Sequence, residues 1–412
     1  MELNKKQYES IIDLVSKVQT NSIDFNIFFK KVNEQLQNLE KNDQKQNIIL
    51  TILESNYEII LSTGFIRELH NCYSQANIIL VLNEGIKQFD NLLINNPYIN
   101  EIVYVNLNIN SILSLIRDCV EIAYDRFWNR NIDKAFSISW PGNIATLFFN
   151  WLISAKECIG YGESIVKIYD DDNINDYMFD QLLTNNIINP EDLKSDILRK
   201  YYILEALGFD IQNKSLELFL DKQKDDRKII CVDISNGSPN WIFSIKKIAQ
   251  FLLTVIDDNT YIMLRSNDLV NTRYFELLLT TNTYSDEEEK CINKDKIIKY
   301  DLNLMQNISL YIGNNTEVMH IASAYNKPII AFFAEAEDKE LNGMMSLYDR
   351  LIPYTWLDDP PAKILRPEFA IDLCVIKENI GGCTVPYPHC INEITLEQVE
   401  DAFNELFPEG LK

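Results

Sequence analysis

The 412-residue chain predicts an α/β protein of two successive domains, each built on a parallel sheet, with a helical addition at its start. Two patterns carry that expectation. Short, wholly apolar runs alternate with helical patterns from Asn47 onward, and the alternation breaks only once, at a polar, charged stretch, before it restarts. Parallel strands buried on both faces read as continuous apolar runs, whereas half-exposed strands alternate. Length agrees, because one hydrophobic core seldom serves more than about 250–300 residues.

Residues 2–45 read as helices. Ile11, Ile12, Leu14, Val15 and Val18 fall on one stripe, and Ile27, Phe28, Val32, Leu36 and Leu39 on another. "EKNDQKQN" ends that pattern. "NIILTIL" (47–53), "NIILVL" (77–82), "EIVYVNL" (101–107) and "KAFSISW" (134–140) read as buried strands with helices between them. The polar stretch "KSLELFLDKQKDDRK" (214–228) reads as a linker. A second alternation follows: "IICVDIS" (229–235), a helix over 244–256, "TYIMLRS" (260–266), a helix over 270–280, "KIIKYDL" (296–302) and "PIIAFFA" (328–334). "ITLEQVEDAFNELF" (394–407) closes the chain as an amphipathic helix. The expected parts are thus a helical extension over 1–46, one domain over 47–220 and another over 228–412. Two such halves point to a pair of Rossmann-like domains facing a cleft, with ligands outside the carboxyl ends of the strands.

Charge excludes some partners. With 61 acidic and 38 basic residues the net charge is −23, and the basic residues are scattered. Such a chain repels nucleic acid and anionic lipid at long range, so nucleic acid is not an expected partner. The start "MELNKKQYES" has no apolar signal core, and no apolar run approaches the roughly 20 residues of a membrane span. Eight cysteines without a secretory signal suggest reduced thiols, hence a cytoplasmic protein, either free or peripheral at the inner face of a membrane.

One junction concentrates polar residues. In "YIGNNTEVMHIASAYNKPIIAFF" (311–333) an apolar strand ends in Gly313-Asn314-Asn315-Thr316 and opens into a short helix. Turns of this kind are where α/β proteins bind anions and sugars, because free N–H groups at the helix start face the ligand. Thr316 suits the N-cap, and His320 lies one turn further on the same face. The plainer alternative is a capped helix whose His320 satisfies a buried hydrogen bond.

The same stretch resembles the signature of glycosyltransferase family 9, the ADP-heptose heptosyltransferases of bacterial surface glycans. Its members read Gly-Asn-Asp-Thr-Gly-Pro-Met-His-Ile-Ala-Ala-Ala, then Lys-Pro and an apolar strand. Further phrases are similar in the expected order: "NIILTILESNYEIILSTGFIREL", "NNPYINEIVYVN", "RFWNRNIDKAFSISWPGNIATLFFNWLISAKECIGYG" and "YYILEALGFDI". The resemblance implies a GT-B fold, a nucleotide-sugar donor such as ADP-heptose bound mainly by the second domain, and an inverting transfer that needs no cofactor. Such chemistry uses a base to deprotonate the acceptor hydroxyl and N–H or positive groups to hold the departing diphosphate. In the family the base is an aspartate in a Gly-Asp turn after the first strand, and the matching position is Glu58, after Tyr57. The alternative for Glu58 is an exposed helix-start glutamate favoured by the dipole.

This chain departs from the family in two stretches. The family's Gly-Asn-Asp-Thr-Gly is here Gly313-Asn314-Asn315-Thr316-Glu317, so Asn315 has lost a charge and the Glu317 carboxylate would repel a diphosphate unless it turns away. A lysine expected just before Trp241 is absent. Ser235, Asn236, Gly237 and Ser238 offer hydroxyl and N–H groups instead, and Arg265 or Lys246 offers a charge. In "CVIKENIGGCTVPYPHC" the cysteines Cys374, Cys383 and Cys390 resemble a family cluster ending in His-Cys, with His389 a fourth donor; they are candidates for a structural zinc or iron, against the alternative of free thiols in a tight loop.

The expected donor face is therefore Gly313, Asn315, Thr316, Glu317 through its N–H, and His320, with Ser235 to Ser238 opposite, and Glu58 is the candidate base. The acceptor is a surface glycan or a protein. A non-catalytic GT-B relative serving as a binding or scaffold subunit is the alternative.

Overall fold

The computed structural model describes residues 2–53, 56–140, 142–162, 182–190, 193, 195–220, 223, 225–235, 243–281, 291–333, 361–366 and 391–411. The chain divides into two compact units, Met1–Lys214 and Ser215–Lys412.

The first unit runs α1 (Glu2–Gln19), α2 (Phe25–Leu36), β1 (Asn47–Ile52), α3 (Asn56–Leu61), α4 (Thr63–Cys72), β2 (Asn77–Asn83), β3 (Glu101–Val105), α5 (Ile112–Arg126), β4 (Ile132–Ser137), α6 (Ile144–Leu152), β5 (Glu157–Tyr161), β6 (Asn185–Ile187) and α7 (Asp196–Ala206). All strand pairs are parallel and the order is β3-β2-β1-β4-β5-β6. Every residue of β1 is buried, as its unbroken apolar run requires of a central strand.

The N-terminal helices share this unit's core. Ile11, Leu14, Val15 and Val18 of α1 and Phe28, Phe29, Val32 and Leu36 of α2 belong to the same buried cluster as Ile116, Val120 and Phe148. Tyr8 stacks on Tyr124 of α5 at 4.7 Å, and Trp151 Nε1 donates to Asn33 Oδ1 at 2.8 Å. One stripe residue differs from expectation: Ile27 faces solvent and Phe29 takes the inward place, packed on Phe148 and Trp151.

The second unit runs β7 (Lys228–Asp233), α8 (Ile245–Val255), β8 (Thr260–Arg265), α9 (Leu269–Thr280), β9 (Ile297–Lys299), β10 (Ile308–Asn314), α10 (Glu317–Ala324), β11 (Ile329–Phe332), β12 (Ala362–Leu365) and α11 (Leu396–Leu406). Its order is β12-β11-β10-β7-β8-β9, again wholly parallel. The run read as a strand over 296–302 is cut to three residues, because Asp301 accepts from Asn303 N at 2.9 Å and turns the chain into a 3-10 helix. Thr395 and Gln398 form a reciprocal capping box that starts α11.

Counted within each unit, both orders are 3-2-1-4-5-6, that of the Rossmann fold. In such a sheet the first and fourth strands are neighbours whose connections leave in opposite directions, opening a crevice at their carboxyl ends. That crevice lies after β1 and β4 in the first unit and after β7 and β10 in the second.

Candidate functional site

In the first unit the chain leaving β1 enters α3, and Glu58 stands in its first turn. Glu58 is not an exposed helix-start residue: it is 8% exposed. Lys200, on α7, places Nζ 2.7 Å from Glu58 Oε2, a buried ion pair without hydrogen-bond angles. Asp196 lies one turn earlier on α7, and Arg199 Nη1 approaches its Oδ1 at 3.1 Å. The Arg199 guanidinium also lies 4.1 Å over the ring of Trp140, beyond the end of β4. Tyr161, at the end of β5, donates its hydroxyl to Arg199 O at 2.6 Å. Ser195 caps the helix that carries these charges, accepting from Leu198 N. Burial raises the Asp196 pKa to about 6, against the opposing pull of Lys200 and Arg199 and with Glu58 adding to the rise.

In the second unit the strand register does the assembling. Arg265 on β8 pairs with Asp233 on β7, and Asp233 pairs with Gly313 on β10, so the three stand in a row at the carboxyl edge. A Cβ at residue 313 would lie 2.5 Å from Asp233 O, so only glycine lets β10 close on β7 there. Asp233 is wholly buried and saturated. Its Oδ1 accepts from Ser235 N at 2.8 Å and Ser235 Oγ at 2.5 Å. Its Oδ2 accepts from Arg265 Nη1 at 3.0 Å and Thr316 Oγ1 at 2.6 Å. Arg265 Nη1 also donates to Ser235 Oγ at 2.7 Å, and Nη2 donates to Glu317 Oε1.

Thr316 occupies the N-cap position of α10, but its hydroxyl makes no cap bond, because Asp233 has taken it. That corrects the expectation of a side-chain cap. Asn314, not Asn315, does the structural work of the turn: its Oδ1 accepts from Phe243 N at 3.0 Å, and its carbonyl accepts from Tyr311 OH at 2.7 Å. Asn315 is half-buried and His320 is buried. Burial opposes the charge of Arg265, yet Asp233 and Glu317 outweigh it and raise the guanidinium pKa further. The edge therefore carries two carboxylates against one guanidinium, and the Glu317 carboxylate is turned onto Arg265.

Of the residues expected from sequence, Ser235, Gly313, Thr316 and Glu317 meet at this edge, and Glu58 stands at the matching crevice of the first unit. Asn236, Gly237 and Ser238, like Trp241, lie outside the described residues. So do Cys374, Cys383, His389 and Cys390. Among the described residues no group of three or more His, Cys, Asp or Glu side chains is placed to hold a metal ion. The partners Lys200, Asp196, Arg199 and Asp233 were not singled out from sequence. The spacing of Asp196 and Lys200, four apart on one helix, was the signal available for the first group.

These features define the class: an α/β chain of two Rossmann-order units, the fold of the GT-B glycosyltransferases. Among solved structures it is similar to a glycosyl transferase family 9 protein from Veillonella parvula, with 17% identity, 90% of this chain and 99% of that one covered, and a TM-score of 0.61. It is also similar to ADP-heptose lps heptosyltransferase II of E. coli (14% identity, 88% and 99% covered, TM-score 0.56). A third is E. coli heptosyltransferase WaaC with ADP-2-deoxy-2-fluoro heptose (8% identity, 87% and 99% covered, TM-score 0.56). No protein-family model and no curated protein matches the chain. Among the described residues no helix is long and apolar enough to cross a membrane.

Proposed function

We propose that the chain is an inverting glycosyltransferase that moves a sugar, a heptose in the first instance, from a nucleotide-sugar donor to a surface glycan or a protein. The observation that carries the proposal is the placement of Glu58: a buried carboxylate at the switch-point crevice of the first sheet, held by an ion pair, where a base for an acceptor hydroxyl belongs. Its Oε2 faces Lys200 at 2.7 Å, and Oε1 is the oxygen that would take the proton. The donor belongs to the second unit, at Gly313, Asn315, Thr316, the N–H of Glu317 and His320, with the Ser235 hydroxyl beside them and Asn236, Gly237 and Ser238 as further candidates. The N–H groups at the start of α10 suit a diphosphate once Glu317 has left Arg265. Support for a heptose donor comes from the fold, which is similar to that of heptosyltransferases.

A protein acceptor suits a chain of charge −23 better than a glycolipid in an anionic membrane does. The structural metal at Cys374, Cys383 and Cys390 stays part of the proposal, with no role in the transfer. One observation favours the second reading, a non-catalytic binding subunit: the cation that would meet a diphosphate, Arg265, is already held by two carboxylates. Purified protein tested against ADP-, UDP- and GDP-sugars by nucleotide release and by thermal shift separates the two. Release of ADP from ADP-heptose supports the transferase; binding without release of any nucleotide supports the subunit.

A further inference from the structure

We infer that Lys200 is the positioning residue of Glu58, a point charge that grips one carboxylate oxygen and leaves the other open to the acceptor. This rests on the reading of Glu58 as the base. Lys200 and Glu58 come from α7 and α3, and their side chains are only 3% and 10% exposed. A buried ion pair is a poor source of stability, because desolving both ions costs about what their attraction returns. Its gain here is geometric. Unlike arginine, which grasps both carboxylate oxygens with a planar fork, lysine binds as a single compact charge. Among the described residues Lys200 engages Oε2 alone, which leaves the second oxygen for the work of a base.

The lysine is itself held in place. Asp196 lies one turn before it, and Arg199 binds Asp196 while lying over Trp140. The Arg199 backbone carbonyl accepts from Tyr161 OH. So α7 is fastened to the ends of β4 and β5, and the ammonium has a fixed position relative to the crevice. The charged groups bearing on this spot are Glu58 from α3 and Asp196 and Arg199 from α7. On α4, Arg67 pairs with its neighbour Glu68 at 2.7 Å.

The test is a double-mutant cycle on the full chain, with ADP-heptose as the probe, water as the acceptor whose proton Glu58 takes, and released ADP as the readout: wild type, Glu58→Gln, Lys200→Met and the double variant, with Lys200→Arg beside them. Lys200→Met is expected to lower kcat roughly tenfold or more and to leave KM for ADP-heptose within about twofold. In the Glu58→Gln background the same change is expected to cost nothing further, since a residue acting through Glu58 has nothing left to position. Lys200→Arg restores the fold but less than the full rate, because its fork engages both oxygens. Should the Met variant not fold, Lys200→Gln, which stays polar but removes the charge that holds Glu58, carries the same expectation. Equal losses in both backgrounds, or a changed KM with kcat intact, overturn the inference while leaving Glu58 as base. Unaltered turnover in Glu58→Gln, or none in wild type, overturns the base reading and the inference with it.

Discussion

Glu317 and Arg265 form an ion pair at the carboxyl edge of the second sheet, the first residue of α10 against the last residue of β8. Each side chain is about a fifth exposed, with Glu317 at 21% and Arg265 at 23%, so a solvent-borne anion has access to both. On the proposed reading, the carboxylate holds the place a donor diphosphate would take.

Removing that competitor should open the site. Glu317→Gln is expected to tighten ADP binding about tenfold or more, about 1.4 kcal/mol, measured by calorimetry at constant salt. An unchanged dissociation constant would mean that Glu317 does not compete with the nucleotide.

Thr316→Val tests the other side of the same network. It removes the hydroxyl that donates to the buried Asp233 Oδ2. A hydrogen bond to a charged group contributes about 1.5–3 kcal/mol, so a lower urea midpoint is expected together with weaker ADP binding. A variant as stable as wild type would show that Asp233 is satisfied without Thr316.

Gly313→Ala probes the packing beneath the turn. The added Cβ would meet the backbone oxygen of Asp233, which no side-chain movement relieves. A loss of about 1–3 kcal/mol is expected from such overpacking, read as a lower urea midpoint with the slope unchanged. Wild-type stability in the alanine variant would show that β10 can shift away from β7.

Asp196 gives a pH dependence with a definite sign. Its pKa in the folded chain is about 6, above the ordinary 3.8, because of burial. The folded state therefore binds the proton more tightly than the unfolded state, and stability falls as pH rises from about 4 to about 6. Asp196→Asn removes that loss: the variant should gain on wild type by about 2–3 kcal/mol above pH 6, the gain vanishing near pH 4. A constant difference between the two proteins from pH 4 to pH 8 would contradict the raised pKa.

Much of the fold was legible because the signals are local. "NIILTI" and "KIICVD" are central parallel strands by composition alone, and the Gly313–Thr316 turn marks a strand end by its residue types. The residues proposed for the site came from a family phrase that points to Glu58 and to the helix start. Sequence could not supply the pairings, because Lys200 meets Glu58 across 142 residues (200 − 58) and Arg265 meets Glu317 across 52. Such contacts depend on strand order and register. The thwarted cap at Thr316 has the same origin: a local rule favoured the helix N–H groups, and the buried carboxylate of Asp233, brought by the neighbouring strand, won the hydroxyl.

The most direct measurement is the turnover of Glu58→Gln with the donor that wild type uses. Gln keeps the size of the side chain and removes its basicity, so a base lost at the acceptor should depress kcat by roughly a hundredfold or more while donor affinity changes little. Calorimetry with ADP on the same sample establishes that the variant is folded and competent to bind. A kcat equal to that of wild type would remove Glu58 from the chemistry.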